Sequence, residues 1–321
     1  MRNILITGCA GFIGSIVTQS ILDSGSYNMV VGVDSFDNYY SKKIKRNNIS
    51  DLRNYSNFRF FEYNILNTND LRKLKYDFDI CIHLAAKPGV ISSVNIPNQY
   101  FENNLIGTSN LLDFLKSRKV KKIIFASSSS VYDSDNSNSF SEDKSKLSPL
   151  SPYGLSKLFC ESYLDMYHRQ EGFDVIKLRL FSVYGPKMRP DLAIYKFTKS
   201  IIEGDEISVF GSGNSARDYT YITDVADAFI STIDYILTKS KVCESINIGN
   251  SKPISINKLI SLLSNKLKIK VNKHHLPSND FELDFTNADL TKAKKLIGYN
   301  PKIEMDKGLD NFINWYKCNI M

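Results

Sequence analysis

Short runs of β-branched and aromatic residues alternate with longer amphipathic segments through the first half of the chain. Each apolar run has the length and composition of a buried strand, and each longer segment carries apolar residues at helical spacing. The predicted strands are NILIT from Asn3, MVVGVD from Met29, FRFFEYN from Phe58, DICIHLA from Asp79 and KIIFAS from Lys122. A chain that alternates strands and helices in this way forms a parallel sheet with helices on both faces. We therefore predict an α/β fold with a doubly wound parallel sheet.

The rest of the chain contains two long helical segments and then a less regular part. Residues 97–116 and 153–170 each predict one long helix, and DVIKLRLFSVYG from Asp174 predicts a sixth strand that runs into a loop. Beyond that strand the predicted elements are short and irregular, which makes them unsuited to extending the same sheet. We predict a sheet domain over residues 1–185 and a smaller α/β lobe that holds the substrate over residues 186–321, with some crossing of the chain between them.

Composition and charge exclude several classes of protein. Hydrophobic residues make up 42% of the 321 residues, which is enough for a buried core, so disorder is not expected. The net charge of +7 comes from 41 basic and 34 acidic residues that are interspersed along the chain, so no surface for nucleic acid is predicted. The densest basic run, SKKIKRNN from Ser41, is predicted to be the solvated face of a helix.

The cysteines, histidines and apolar runs narrow the setting further. The five cysteines are odd in number, widely spaced and without a CxxC pair, and the chain opens on a strand pattern instead of a signal peptide. These features predict a cytoplasmic protein. No apolar run is as long as a membrane span, and the four histidines lack metal-ligand spacing. We therefore predict neither a membrane segment nor a metal site.

A glycine-rich turn joins the first predicted strand to the helix after it. Gly8, Gly11 and Gly14 occupy this turn, and Asp34 ends the second strand 20 residues after Gly14. Glycines allow the backbone to approach a pyrophosphate, whose charge is stabilised by the N-terminus of the helix. A carboxylate at the end of the second strand hydrogen-bonds an adenosine ribose and repels a 2′-phosphate. The pattern predicts a dinucleotide site that prefers NAD to NADP; the alternative is a turn whose glycines only allow close packing.

A tyrosine, a lysine and a row of serines indicate the chemistry that such a dinucleotide would serve. Tyr153 and Lys157 are four residues apart in SPYGLSK and therefore lie on one face of the predicted helix. A nearby ammonium group favours the phenolate, so we expect Lys157 to lower the pKa of Tyr153 and make it a proton acceptor. The four serines of residues 127–130 follow the fifth strand at the carboxyl edge of the sheet, where ligands of such sheets bind. The alternative for these serines is an ordinary polar turn.

Motifs along nearly the whole chain resemble the extended short-chain dehydrogenase/reductase family, and within it the nucleotide-sugar 4-epimerases. The motifs are TGCAGFIGS, HLAAKPGV, NNLIGTSNLL, FASSSSVY, SPYGLSK, LRLFSVYGP, RPDLAIYKFT, GNSARDYTYITDVADA and LIGYNP. The resemblance implies a Rossmann fold, bound NAD, transient oxidation of a sugar at C4 and a homodimer formed by the helices of residues 97–116 and 153–170. It also implies Ser128, Tyr153 and Lys157 as the catalytic group.

The same resemblance implies binding residues at the positions that match the family's motifs. The implied cofactor-binding residues are Gly8, Gly11, Phe12, Ile13, Gly14, Asp34, Asn64, Ile65, Leu84, Ala85, Ala86, Lys87, Asn104, Ser127, Tyr153 and Lys157. The implied substrate-binding residues are Pro88, Gly89, Ser128, Ser129, Ser130, Ser182, Ala193, Val209, Phe210 and Arg217. Arg217 corresponds to the arginine that binds the nucleotide diphosphate in this family.

Several positions depart from the family pattern. Asn64 replaces an aspartate at the adenine, Cys9 replaces a glycine in the turn, and Asp133 follows VY where glycine is usual. The stretch of residues 277–289 is longer than its counterpart and lacks an arginine that many members have. Because of these departures, the resemblance does not determine which residues contact the adenine and the distal phosphate.

The residues near the catalytic hydroxyl narrow the reaction. Family members that remove water or carbon dioxide have acidic residues after that hydroxyl, whereas this chain has Ser129 and Ser130, so plain epimerisation is expected. Ser182 stands where neutral-sugar epimerases have asparagine and uronate epimerases have threonine, and these serines could hydrogen-bond a C6 carboxylate. The expected substrate pair is UDP-glucuronate and UDP-galacturonate. The alternative substrates are UDP-glucose and a UDP-N-acetylhexosamine. The alternative functions are a net oxidoreductase and a non-catalytic NAD-binding regulator.

Overall fold

The computed structural model describes residues 2–133, 139–278 and 281–321. Seven strands of these residues form the large sheet: β1 Arg2–Thr7, β2 Tyr27–Asp34, β3 Phe58–Glu62, β4 Ile80–His83, β5 Lys122–Ser128, β6 Asp174–Leu180 and β10 Cys243–Ile248. All neighbouring strands are parallel, in the order β3-β2-β1-β4-β5-β6-β10. The strand order reverses between β1 and β4, the place where ligands bind in open parallel sheets. The predicted doubly wound sheet is confirmed.

Helices cover both faces of this sheet because its strands are apolar on both sides. They and the neighbouring helices are α1 Phe12–Asp23, α2 Lys42–Asn48, α3 Thr68–Arg72, α4 Val90–Asn95, α5 Pro97–Tyr100, α6 Gly107–Ser117, α7 Pro152–Glu171, α9 Ile222–Thr238 and α11 Thr291–Ile297, with 3₁₀ turns at Asp51–Asn54 and Ser129–Val131. One core lies under α1 and α9, and the other under α6 and α7. The two predicted long helices are confirmed, except that a π-helical turn, Phe101–Ile106, joins α5 to α6.

A second, smaller lobe contains the remaining elements: β7 Ser182–Tyr184, α8 Ala193–Glu203, β8 Ile207–Phe210, β9 Ala216–Tyr221, β11 Pro253–Ser255, α10 Ile256–Leu267, β12 Lys273–Leu276 and α12 Met305–Asn319. Its described strands form a three-stranded sheet, β11-β9-β7, and a parallel pair, β12-β8. A separate apolar core holds this lobe together.

Two sequence predictions about the second half of the chain are wrong. The later part of the chain does extend the large sheet, since β10 pairs with β6 through Cys243 and Val175. The predicted sixth strand is two strands, because β6 belongs to the large sheet and β7 pairs with β9 of the small one. Local patterns could not show either result, since β10 returns to the sheet only after the intervening lobe. The division at residue 185 remains a prediction.

The basic run after Ser41 is also different from its prediction. It forms α2, but Lys45 is buried, and its ammonium group donates a hydrogen bond to the carbonyl oxygen of Asp37 at 2.7 Å. The polar stretch DSDNSNSFSEDKSK from Asp133 has the composition of a surface loop, but part of it lies outside the described residues. Two residues of the long stretch 277–289 also lie outside them. Among the helices that the structure describes, none is both long enough and apolar enough to cross a membrane.

Candidate active site

Two adjoining cavities lie at the carboxyl edge of the large sheet. The first extends from the glycine turn and Asp34 to Ser128, and the second extends from Ser129 into the smaller lobe as far as Arg217. Tyr153 and Arg189 line both cavities, so a group bound in one would meet a group bound in the other at these side chains.

The structure brings nearly all predicted site residues to these walls. The first cavity is lined by the predicted cofactor residues Gly8, Gly11, Phe12, Ile13, Gly14, Asp34, Asn64, Ile65, Leu84, Ala85, Ala86, Lys87, Ser127, Tyr153 and Lys157, and by Ser128. The second is lined by the predicted substrate residues Pro88, Gly89, Ser129, Ser130, Ser182, Ala193, Val209, Phe210 and Arg217. Asn104 is the exception.

The glycine turn is shaped by close backbone contacts. Gly8 has a φ of +75°, and a Cβ there would lie 2.6 Å from the backbone nitrogen of Ala85. A Cβ on Gly14 would lie 2.0 Å from the carbonyl oxygen of Gly8. Close packing therefore explains these two glycines, and it also presents the N-terminus of α1, beginning at Phe12, to the first cavity. Cys9 is buried beside Gly32, away from the cavity wall. The cysteine that replaces the family's glycine therefore takes no space from the first cavity.

Asp34 ties the glycine turn to the end of β2. Its carboxylate accepts hydrogen bonds from the backbone nitrogens of Ala10, at 3.1 Å, and Phe36, at 2.8 Å. Burial raises the pKa of Asp34, while these hydrogen bonds and the charge of Lys45 lower it. The carboxylate still faces the cavity, which is where a ribose hydroxyl would meet it.

Substituting Asp34 tests the assignment of the adenosine end. We expect Asp34→Ala to weaken NAD binding by about 10-fold or more and NADP binding less, because a carboxylate hydrogen-bonds a ribose and repels a 2′-phosphate. Fluorescence titration with each dinucleotide measures the two losses. Asp79→Ala, at the opposite edge of the sheet beside Asn3, is the control. Equal losses for NAD and NADP would place the ribose elsewhere.

The predicted catalytic residues converge where the two cavities meet. Ser128 ends β5 and hydrogen-bonds the Tyr153 hydroxyl; its own Oγ donates to Ser130 Oγ at 3.1 Å. Lys157 is buried one turn along α7, and its ammonium group donates to the carbonyl oxygen of Ala126 at 2.8 Å. Ser151 caps this helix by accepting a hydrogen bond from the backbone nitrogen of Gly154, which fixes the first turn of α7 and hence Tyr153.

The predicted effect of Lys157 on Tyr153 is wrong for the protein chain by itself. Burial raises the pKa of Tyr153, and the opposing influences are the hydrogen bond of Ser128 and the positive charge of Arg189. Burial also lowers the pKa of Lys157 to about 8. The desolvation of both groups outweighs the charge effect that spacing alone suggested.

A known protein family matches most of the sequence. The NAD dependent epimerase/dehydratase family matches residues 4–249 of the 321. The chain belongs to that family. The predicted family is thereby confirmed, and so is NAD as the cofactor.

This epimerase-family chain is similar to several named proteins. The UDP-glucuronate 4-epimerase of Thermodesulfobacterium geofontis is 39% identical over 319 residues, covering 98% of this chain and 96% of that protein. The crystal structure of UDP-glucuronic acid 4-epimerase from Bacillus cereus, in complex with UDP-glucuronic acid and NAD, aligns with a TM-score of 0.93 at 38% identity, covering 98% and 99% of the two chains. UDP-glucose 4-epimerase from Thermotoga maritima aligns with a TM-score of 0.89 at 29% identity, covering 99% and 100%.

The first cavity of this family member fits NAD. A buried carboxylate stands at one end, a helix N-terminus lies in the middle, and a hydroxyl, a phenol and an ammonium group lie at the other end. Asp34 would hold the adenosine ribose, the turn at Gly11 the pyrophosphate, and Lys157 the nicotinamide ribose.

Three predicted cofactor residues have protein partners that refine their roles. Asn104 lies behind the cavity wall, where its side chain holds Lys87 by accepting from the backbone nitrogen at 2.6 Å and donating to the carbonyl oxygen at 3.1 Å. The side-chain oxygen of Asn64 accepts from the nitrogen of Leu66 at 3.0 Å, so it already has a backbone partner. Ser127 donates to the buried carboxylate of Glu161 at 2.5 Å.

Sequence reasoning missed Arg189. Its side chain is only 17% exposed, it lines both cavities, and its charge lowers the pKa of Tyr153. The arginine stands at the start of RPDLA, within a motif that resembles the family, but the resemblance gave this residue no role. Its largely buried guanidinium therefore places a positive charge near a candidate proton acceptor, on the walls that a substrate would contact.

Arg217 has an acidic neighbour in the long stretch 277–289. One of its terminal nitrogens lies 3.3 Å from Glu282, and the other donates to the carbonyl oxygens of Ala216 and Asp284. The guanidinium predicted to bind a diphosphate is therefore held in place by the loop that departs from the family pattern.

Proposed function

We propose that the protein is an isomerase that interconverts UDP-glucuronate and UDP-galacturonate by NAD-dependent epimerisation at C4. The observation that carries the choice of a uronate is Arg189, whose guanidinium lines the junction of the cavities together with Ser129, Ser130 and Ser182. Hydrogen bonds from such groups to an ionised carboxylate are stronger than bonds to a neutral hydroxyl. The similarity to two UDP-glucuronate 4-epimerases at 38 and 39% identity supports the same substrate.

The chain's own residues supply proton transfer and orientation. Tyr153, in its phenolate form, takes the proton of the sugar 4-hydroxyl, and the hydrogen bond of Ser128 and the positive charge of Arg189 favour that form. Ser128 also hydrogen-bonds the reacting oxygen. NAD held in the first cavity would supply the hydride acceptor for C4 and then the hydride donor for the other face of the sugar. Arg217 and the wall formed by Val209 and Phe210 hold the nucleotide, so the sugar can turn without leaving the site.

Turnover of three substrates tests this proposal. We expect UDP-glucuronate to be epimerised faster than UDP-glucose or UDP-N-acetylglucosamine, as measured by chromatographic separation of the epimers. Ser182→Asn should narrow that preference, because the larger amide takes space and replaces a hydroxyl. Faster epimerisation of a neutral sugar by the unaltered protein would refute the uronate, and accumulation of free NADH would indicate a net oxidoreductase instead.

We propose that the protein forms a homodimer through the helices of residues 97–117 and 152–171. Ile106 and Phe159 are 51% and 43% exposed on these helices, and the ring centroid of Phe159 lies 6.2 Å from that of Phe101. Large apolar side chains exposed together on one surface are typical of an interface.

Charge placed on that surface should separate the subunits. We expect Ile106→Glu combined with Phe159→Glu to convert a dimer to a monomer in light scattering coupled to size exclusion, because burying two carboxylates opposes association. Ile269→Glu, an exposed apolar position in the other lobe, should leave the mass unchanged. An unchanged dimer in the double variant would exclude these helices as the interface.

We also propose a reducing compartment such as the cytoplasm. All five cysteines, each within the described residues, are free of disulfide bonds, which supports this setting.

A further inference from the structure

Arg189 is held by a carboxylate two residues further along the chain. Its Nε donates to Asp191 Oδ1 and a terminal nitrogen donates to Asp191 Oδ2, both at 2.9 Å. This two-point contact fixes the plane of the guanidinium. Within the part of the chain that the structure describes, this contact uses two of its five N–H donors and leaves three for a ligand.

A tyrosine from the sheet domain completes this contact. Tyr39, in the loop after β2, donates its hydroxyl proton to Asp191 Oδ2 at 3.2 Å, and the Arg189 guanidinium lies 5.7 Å from the centroid of its ring. The hydroxyl also lies 3.3 Å from Ser92 Oγ. A Cβ on Gly89 would stand 2.1 Å from the Tyr39 hydroxyl oxygen, so glycine leaves the space that this ring needs.

The same loop contacts the first cavity. The backbone nitrogen of Tyr39 donates to Asp37 Oδ1 at 2.7 Å, and Asp37 pairs with Lys87, a residue of the first cavity wall, at 3.4 Å. Hydrogen bonds and an ion pair therefore run from the first cavity through Tyr39 to Arg189. The arginine is oriented by groups from both lobes.

We propose that Asp191 and Tyr39 are positioning residues that set how strongly, and in which direction, Arg189 attracts the substrate carboxylate. This inference rests on the proposed function. Epimerisation requires the sugar to present both faces of C4, so its carboxylate must be held and then released. A buried arginine without a counter-charge would bind the carboxylate tightly in one orientation, and such ground-state binding slows turnover. Asp191 reduces that attraction and keeps the free donors aimed at the sugar.

Two variants and a matched control test the proposal. Asp191→Asn removes the counter-charge, and Tyr39→Phe removes only the hydroxyl and keeps the ring beside Arg189. Asp174→Asn is the control. Asp174 likewise pairs with a basic side chain, that of Lys122, at 2.7 Å, but it lies at the amino end of β6, away from both cavities. Thermal unfolding of each variant shows whether it is folded.

The expected result is a split between binding and turnover. Asp191→Asn should lower kcat for UDP-glucuronate about 10-fold or more while lowering its KM, and Tyr39→Phe should lower kcat about 3-fold to 10-fold. Calorimetry should show tighter binding of UDP-glucuronate to Asp191→Asn and unchanged binding of UDP-glucose. Asp174→Asn should leave both constants within about 2-fold of the unaltered protein.

Other outcomes would overturn the proposal. Weaker binding of UDP-glucuronate to Asp191→Asn, or equal changes for both sugars, would show that Asp191 is only a structural partner of Arg189. If Asp191→Asn does not fold, Tyr39→Phe decides the question, and an unchanged kcat in that variant would overturn the proposal. Failure of the proposed function is separate, since it appears as poor turnover of UDP-glucuronate by the unaltered protein, and calorimetry would still decide the role of Asp191.

Discussion

Tyr153→Phe should retain NAD and lose turnover of the nucleotide sugar by about 10² or more, because positioned proton transfer contributes on that scale. The phenol lies where the two cavities meet and hydrogen-bonds Ser128, while the ring packs edge-on against Tyr100 with centroids 6.3 Å apart. Phenylalanine keeps that packing and removes only the group that can accept a proton. The loss should therefore be in kcat.

Steady-state kinetics with a retained-cofactor assay checks this expectation. NAD content is measured by denaturing the purified variant and quantifying the released dinucleotide. Tyr163→Phe, in the same helix, is the control, since its hydroxyl hydrogen-bonds Ser109 and Tyr167 and lines neither cavity. Turnover of Tyr153→Phe near that of the unaltered protein would remove Tyr153 from the mechanism.

Arg189→Met should lower kcat/KM for UDP-glucuronate by about 10² or more and for UDP-glucose by much less. Methionine fills the volume but removes the charge that attracts a carboxylate, and it leaves Asp191 without its partner. The repulsion between Asp191 and the substrate carboxylate adds to the loss for the uronate alone. The ratio of kcat/KM for the two sugars is the quantity to measure.

Arg189→Lys separates charge from geometry. Lysine retains a positive charge but cannot make the two-point contact with Asp191, so we expect it to recover only part of the lost kcat/KM. Equal losses for the two sugars in Arg189→Met would contradict a contact between Arg189 and the uronate carboxylate.

Local sequence patterns were sufficient for the first five strands of the large sheet and for the helices between them. Strands such as Ile80–His83 are apolar on both faces, and the intervening helices have apolar stripes, so each segment carries its own signal. Several site residues could also be predicted from the sequence, because their function depends on short, fixed spacings. They are the glycines of the turn, Asp34, Tyr153 and Lys157. These residues lie in one cavity, as the spacings and the family resemblance indicated.

The sequence by itself determined the fold class, the family and nearly all of the site residues that were predicted to line the two cavities, because these depend on local spacing and on motifs within one segment. The tertiary structure alone decided what depends on distant neighbours. Burial, which no motif records, raised the pKa of Tyr153 and lowered that of Lys157. A hydrogen bond between residues 152 positions apart joins Tyr39 to Asp191, and this contact showed how Arg189 is oriented. The pairing of β10 with β6, which are separated in sequence by several elements of the smaller lobe, placed β10 in the large sheet.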